Sequence, residues 1–309
     1  MKSKKIAVVL ATRDGELFLE EQLESIKNQT YQNFDLYISD DSSIDRTKAI
    51  IKKFIDDNPS LNIIFYEKIY RSFQRNFLET LANITDDYAY YCFCDQDDIW
   101  EETKLEHARS LLNNVTENMP NLFCSSTKVI NHENQEISAS KQFYKRPSLQ
   151  NALVQSIAGG NTMVFNLHTK LLLNRICNYE NIVSHDWITY LLVACYEGRI
   201  IYSPHPLIRY RVHKKNTIGP NTSIIQRLER FNALLKGKFS SWTDKNLDIL
   251  LSPKFEDMPE RSIRIIMKFK EIKHEKLMTR FYSFMNLRLY RQTIFSSIAI
   301  FIFAMLKKL

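Results

Sequence analysis

At 309 residues, 25% charged and 44% hydrophobic, the chain lies outside the disordered class and is long enough for a catalytic core of about 210 residues with a smaller appendage. Its net charge of +7 is unevenly spread. Residues 1–206 hold 21 Lys and Arg against 27 Asp and Glu, whereas residues 207–309 hold 21 against 8, so the basic part suits nucleic acid or an anionic membrane surface.

The only apolar stretch near the amino terminus, Ile6–Ala11, is too short and too strand-like for a signal peptide, so the chain is expected to stay in the cytoplasm. Its five cysteines, an odd number set mostly in apolar runs, read as buried free thiols and suit that reducing compartment. After the strand Ile6–Ala11 the periodicity predicts a helix over Glu16–Asn28 with Leu17, Leu19, Leu23 and Ile26 inward. Then come a strand Phe34–Ser39, a helix Thr47–Ile55, a strand Asn62–Tyr66, a helix Phe73–Ile84 and a strand Tyr88–Cys94. Cys92 and Cys94 alternate onto one core face of that last strand. Such alternation of strands and helices implies a mostly parallel sheet with ligands at the carboxyl ends of its strands. Further on, the pattern predicts a helix to about Asn113, a strand near Leu122–Ile130 and a polar stretch to about Pro147. A strand over Thr162–Asn166, a helix near Asp186–Tyr196 and strands at Ile200–Tyr202 and Leu207–Val212 close the core. From about Asn221 the chain reads as basic and helical, ending in the charge-free run Ile294–Leu306.

Four polar clusters punctuate this pattern. Asp40-Asp41 ends a strand, where carboxylates can meet a base or ribose hydroxyls, or simply cap the following helix. Asp95-Gln96-Asp97-Asp98 packs three carboxylates into four positions; a cation such as Mg2+ or Mn2+ bridging a diphosphate would relieve their repulsion. Helix capping accounts for one of those carboxylates but leaves Asp95 unexplained. Asp186, in Ser184-His185-Asp186-Trp187, opens a helix and can serve as a general base or as a cap. The strand around Tyr210 puts Arg209, Arg211 and His213 on one face, where the imidazole can meet a metal and the cations a phosphate.

Taken in order, Val8–Gly15, Ser39–Asp45, Asp95–Trp100, Gly160-Asn161, His185–Trp187 and Tyr210–Asn216 resemble the motifs of family 2 glycosyltransferases. That family has the GT-A fold, an α/β class with a Rossmann-like, mostly parallel sheet and helices on both faces. Within it the chain is most similar to bacterial rhamnosyltransferase-like enzymes of surface polysaccharide assembly, over roughly residues 5–218. The resemblance implies a catalytic domain over residues 1–218 and a basic helical extension over 219–309. It implies that Thr12 and Arg13 lie against the nucleotide, that Asp41 with Asp40 meets the base, and that Gly160, Asn161 and Arg211 adjoin the nucleotide sugar. Asp95, Asp97 and His213 are implied as the metal group for Mg2+ or Mn2+, and Asp186 as the base of an inverting displacement. Asp14 stands where the family usually has asparagine, and Arg13 where an aromatic residue is common.

The donor expected from this likeness is dTDP-rhamnose, with a UDP-hexose as runner-up, and the acceptor a glycan or lipid-linked glycan of capsule, O-antigen or cell-wall synthesis. Two other classes compete. A nucleotidyltransferase would show a glycine-rich basic phosphate loop, and Thr12–Gly15 supplies one glycine and one arginine. A nucleic-acid-binding protein would use Phe231, Trp242 and Phe255 as stacking platforms, but helical packing accounts for their irregular spacing, so no nucleic-acid partner is expected. The run Ile294–Leu306, flanked by cations and aromatics, is expected to lie on the inner membrane surface without spanning it. The alternative is a core helix or a contact between copies in a homo-oligomer.

Overall fold

The computed structural model describes residues 5–116, 118–213 and 237–309. Lys214, Lys215, Asn216, Phe231 and the first part of the expected basic extension lie outside them. The chain divides into two compact units that interleave in sequence. The first draws on residues 1–142, 158–180 and 198–215, and the second on 143–157, 181–197 and 216–309.

The first unit begins with β1 (Ile6–Thr12), α1 (Leu19–Lys27), β2 (Phe34–Asp41), α2 (Thr47–Asp57), β3 (Ile63–Lys68), α3 (Phe73–Asn83) and β4 (Tyr90–Cys94). It continues with β5 (Ile99–Trp100), α4 (Lys104–Leu112), β6 (Asn121–Ser125), β7 (Lys128–Ile130) and β8 (Glu136–Ala139). After α5 (Leu149–Ala152), which belongs to the second unit, come β9 (Val164–Asn166) and α6 (Leu167–Asn174). Past α7 (His185–Cys195), again of the second unit, β10 (Arg199–Ser203) and β11 (Ile208–Arg211) complete the first.

Seven strands form one sheet in the order β10-β6-β9-β4-β1-β2-β3, parallel except where β9 pairs with β4 and β6. A continuous apolar run such as Ile6–Ala11 suits a strand covered on both faces, and β1 lies inside the sheet between β4 and β2 with Ile6 through Leu10 fully buried. In α1, Leu19, Leu23 and Ile26 recur at helical spacing and are buried, completing the core with Cys92 and Cys94. The strand order reverses between β1 and β4. A crevice opens at such a reversal, so the carboxyl ends of β1, β2 and β4 are where a ligand is expected.

Three local expectations are corrected. Leu17 is 65% exposed because the chain enters the helix at Leu19 and not at Glu16. The single strand expected over Leu122–Ile130 is two, β6 and β7, in different sheets. Ser126 donates to Ser203 O (3.0 Å) and to Pro204 O (2.6 Å), and Thr127 to Ser140 Oγ (2.8 Å), turning the chain out of the first sheet. The polar stretch that follows contains β8, so β5, β11, β7 and β8 form a second sheet.

The described part of the second unit is helical: α5, α7, α8 (Lys238–Leu250), α9 (Glu260–Glu271), α10 (Leu277–Leu287) and α11 (Ile294–Met305), with short 3-10 turns. In α7 almost every residue is buried, and two aromatic residues tie it to the α5 segment. Trp187 Nε1 donates to Ala152 O at 2.7 Å and Tyr190 Oη to Asn151 Oδ1 at 2.9 Å. No helix among the described residues is long and apolar enough to cross a membrane.

Candidate active site

The crevice is built from strand ends whose polar side chains are buried and committed to one another. Asp40 and Asp41 are the last two residues of β2, 0% and 3% exposed, so desolvation requires their oxygens to be paired. Asp40 accepts from Thr12 Oγ1 (3.0 Å), Ser43 N (2.8 Å) and Ser43 Oγ (2.5 Å). Asp41 Oδ1 accepts from the backbone N–H groups of Tyr70 (2.6 Å) and Arg71 (2.9 Å), while its Oδ2 lies 3.5 Å from the half-exposed guanidinium of Arg13. Asp40 therefore shapes the turn. Asp41 keeps one oxygen toward the arginine at the mouth of the crevice.

The loop after β1 is held from both sides. Arg13 N donates to Gln96 Oε1 (2.8 Å), and Gln96 Nε2 donates back to Arg13 O (2.9 Å). Gly15 lies so close to Gln96 that a Cβ would overlap its carboxamide. Asp14, at φ 47°, donates its N–H to Ser43 Oγ (2.8 Å) and accepts from Ile44 N on Oδ1 (2.9 Å). Thus Asp14, standing where the family usually has asparagine, bridges two loops through a carboxylate oxygen.

After β4 the three carboxylates separate by environment. Asp97 Oδ2 lies 2.8 Å from His213 Nε2, both partly exposed. Asp98 is fully buried, accepting from Arg211 N (3.2 Å) and from Asn161 Nδ2. Burial, reinforced by the charge of Asp97, pushes its carboxyl upward from the ordinary range. Lys104, equally buried, donates to Asn161 O (2.9 Å) with its Nζ 3.1 Å from the centroid of the Trp100 ring, and burial holds it down at about 8. Asp95 is half-buried at the end of β4. Among the described residues no three His, Cys, Asp or Glu side chains are gathered to hold a metal. Of the expected group Asp95, Asp97 and His213, the structure brings the last two together as a pair.

Arg211 and Asn161, expected at the nucleotide sugar, are buried inside this assembly. Arg211 is 0% exposed: Nε donates to Asp97 O (3.0 Å), Nη2 to Glu21 Oε2 (2.7 Å) and Nη1 to Asn134 Oδ1, and its guanidinium carbon lies 4.5 Å from the Phe18 ring centroid. The same ring lies 5.0 Å from that of His213. Phe18 and Glu21 thus support the end of β11, a role with no sequence signal because neither stands in a polar cluster. Asn161 is 3% exposed between Asp98 and Lys104, and Gly160 beside it is buried too. Lys104 could have been noticed as a cation one position before the buried stripe Leu105, Ala108 and Leu112.

Asp186 belongs to the second unit, in the first turn of α7. Its Oδ1 accepts from Trp187 N (2.6 Å) and from Ser184 Oγ, and the Ser184 hydroxyl caps the helix. His185 beside it is buried, and desolvation holds its imidazole down at about 4.

Comparison with known proteins agrees with this architecture. The family model described as Glycosyl transferase family 2 matches residues 7–178. The chain is 29% identical over 242 residues to a dTDP-rhamnosyl transferase, RfbG, of Shigella flexneri, covering 74% of this chain and 80% of that protein. It is 26% identical over 113 residues, 36% of this chain and 43% of the relative, to the Escherichia coli UDP-Glc:alpha-D-GlcNAc-diphosphoundecaprenol beta-1,3-glucosyltransferase WfgD. Among solved structures, S. aureus TarS 1–349 in complex with UDP superposes with a TM-score of 0.58 at 16% identity, covering 87% of this chain and 71% of that one. The mannosyltransferase PcManGT of Pyrobaculum calidifontis, in complex with GDP-Man and Mn2+, gives 0.51 at 17% identity, covering 98% and 85%. At these identities the two structures speak for the shared GT-A fold.

Proposed function

Because the chain belongs to glycosyl transferase family 2, we propose that it is an inverting, metal-dependent enzyme carrying L-rhamnose from dTDP-rhamnose to a glycan acceptor in surface polysaccharide synthesis. The observation that carries the metal part is the Asp97–His213 pair at 2.8 Å, beside a strand-order reversal whose neighbouring strand ends hold Thr12 and Asp41. One carboxylate oxygen and one imidazole nitrogen, both partly exposed, fit Mg2+ or Mn2+ and leave the other positions to phosphate oxygens and water. Such an ion, when bound, supplies positive charge to a departing diphosphate.

The chain's own residues do the rest. Asp41 and Arg13, at the edge of the crevice, are assigned to the base and nucleotide, with Thr12 and Asp40 setting the turn beneath them. Asp95 is assigned to the ribose side. Arg211 and Asn161 act by position: the first holds the Asp97 backbone, the second packs Asp98 against Lys104. The base is assigned to Asp186, whose partly exposed carboxylate takes the proton of an acceptor hydroxyl as the hydroxyl oxygen attacks the anomeric carbon from the face opposite the diphosphate. The catalytic domain is assigned to residues 1–218, and the enzyme is placed in the cytoplasm, on the inner membrane surface where lipid-linked acceptors are presented.

The dTDP-rhamnosyl relative supports the donor over most of its length, whereas the glucosyltransferase relative matches a shorter stretch. The test is a screen of nucleotide-diphospho-sugars for release of nucleoside diphosphate with Mg2+, with Mn2+ and with excess chelator. Consumption of dTDP-rhamnose only in the presence of metal is expected. Consumption of a uridine-linked hexose alone reverses the donor assignment, and full turnover in chelator removes the metal.

A further inference from the structure

Within the second unit, α10 and α11 pack antiparallel. Phe301 sits against Phe284 (ring centroids 5.3 Å) and Phe281 (6.0 Å), and Arg280, 3% exposed, donates from Nη1 to Met305 O at 2.6 Å. That bond satisfies a terminal carbonyl and sets a cation at the negative end of α11. The buried face of the pair is conventional, with Phe284, Leu287, Ile300 and Phe303 inside. The outer faces are not. Met278, Tyr282 and Met285 on α10, and Phe295, Ile298 and Ile302 on α11, are all exposed, Phe295 by 86%.

We infer that this hairpin is a bilayer-seating device, its apolar outer stripe embedded in one leaflet of an anionic membrane. The charge pattern selects that occupant. Residues 276–309 contain six Lys and Arg and not one Asp or Glu, and Lys276, Arg288 and Lys307 are exposed about the stripe, whereas Arg280 is buried in the packing of the pair. A contiguous exposed apolar stripe on a folded surface marks a contact site, and a rim in which cations predominate matches phospholipid headgroups. With 12 residues α11 is about 18 Å long, short of the roughly 30 Å hydrocarbon core, so the hairpin lies in the interface and does not cross it.

The hairpin is fastened to the helix that carries Asp186. Its connecting loop grips the segment before α5: Lys145 Nζ donates to Arg291 O (2.8 Å), Lys145 N to Gln292 Oε1 (3.0 Å), Asn151 Nδ2 to Tyr290 O (3.0 Å) and Gln292 N to Gln155 Oε1 (2.9 Å). That segment in turn holds Trp187 and Tyr190 of α7. A leaflet seating the hairpin thereby sets the height of the Asp186 helix above the headgroups.

This deepens the membrane placement proposed above and rests on it; sugar transfer to a soluble acceptor, read without vesicles as the nucleoside diphosphate released, reports separately on the transferase reading. The experiment is flotation of the full chain with vesicles of phosphatidylcholine alone and of phosphatidylcholine mixed with phosphatidylglycerol. Wild-type protein is expected to float with the anionic vesicles. The variants Met278→Ser/Tyr282→Ser and Phe295→Ser/Ile298→Ser should each lower partitioning on the order of tenfold or more. Lys307→Glu/Lys308→Glu should lose the preference for anionic lipid. All these side chains are exposed except Lys308, which is partly buried, and unchanged melting certifies the fold of each variant. Wild-type protein left unbound by both vesicles, or apolar-face variants floating like wild type, overturns the inference. So does a dimer, found by light scattering without lipid, that the face variants dissolve, because the stripe would then belong to a second copy.

Discussion

Replacing Arg211 by alanine separates a strut from a ligand contact. The guanidinium is wholly buried and serves Asp97 O, Glu21, Asn134 and the Phe18 ring. Hydrogen bonds from a charged donor are worth about 1.5–3 kcal/mol each, but Glu21 is 45% exposed and regains most of its share by turning to water. What is not regained is the bond to Asp97 O, the contact with Phe18 and the packing of the buried stem, together about 3 kcal/mol. Arg211→Lys keeps the charge without the planar fork and should cost about half of that. Urea unfolding measures the loss. Steady-state release of nucleoside diphosphate should show the apparent metal requirement rising, since His213 follows two residues on and shares Phe18 with Arg211. An Arg211→Ala protein within about 0.5 kcal/mol of wild type, yet unable to bind nucleotide sugar, would refute the strut and return Arg211 to the ligand.

Asp97→Asn should lower metal-stimulated turnover by about a hundredfold or more while leaving the melting temperature near wild type, because the partly exposed pair it breaks contributes little to folding. Asp186→Asn should lose turnover but bind nucleoside diphosphate normally by calorimetry; a near-normal rate would move the base elsewhere. Burial holds the His185 imidazole at about 4 when folded, against its ordinary 6.5, so the unfolded chain takes up the proton first and stability falls as pH drops from about 6.5 toward 4. The loss from this group amounts to about 3 kcal/mol across that window, and His185→Met should flatten the slope in urea midpoints measured between pH 7 and about 4.5.

The alternation of apolar runs and helical stripes is enough to read the first four strands and three helices, because all but the edge strand β3 are buried on faces whose period the sequence displays directly. It failed where direction depended on single hydrogen bonds. Nothing in Leu122–Ile130 announces that Ser126 and Thr127 are diverted to Pro204 and Ser140, so two strands read as one. Helix α6 escaped notice although Asn166 caps it, accepting from Thr169 N at 3.2 Å; a short strand ending on its own helix cap leaves no polar gap between the two. At the site, motif residues were legible as types but not as depths. Asp97 and Asp98 are neighbours in sequence, one partly exposed beside His213 and the other fully buried against Asn161. Only the fold separates a partly exposed carboxylate from a buried one.

The polar end of β2 also bears on how the chain reaches its native state. Asp40 and Asp41 can leave water only when Thr12, Ser43, Tyr70 and Arg71 have all arrived, and these come from the end of β1 and from two separate loops. An apolar strand end could zip up with its nearest neighbour; this one must wait for loop closures spanning the first quarter of the sequence. The apolar part of β2 can therefore dock early, while its last turn-forming residues consolidate in one late, concerted event. Mutations there should speed unfolding and hardly change the folding rate. The carboxyl end of β2 is then the last part of that strand to set and the first to loosen.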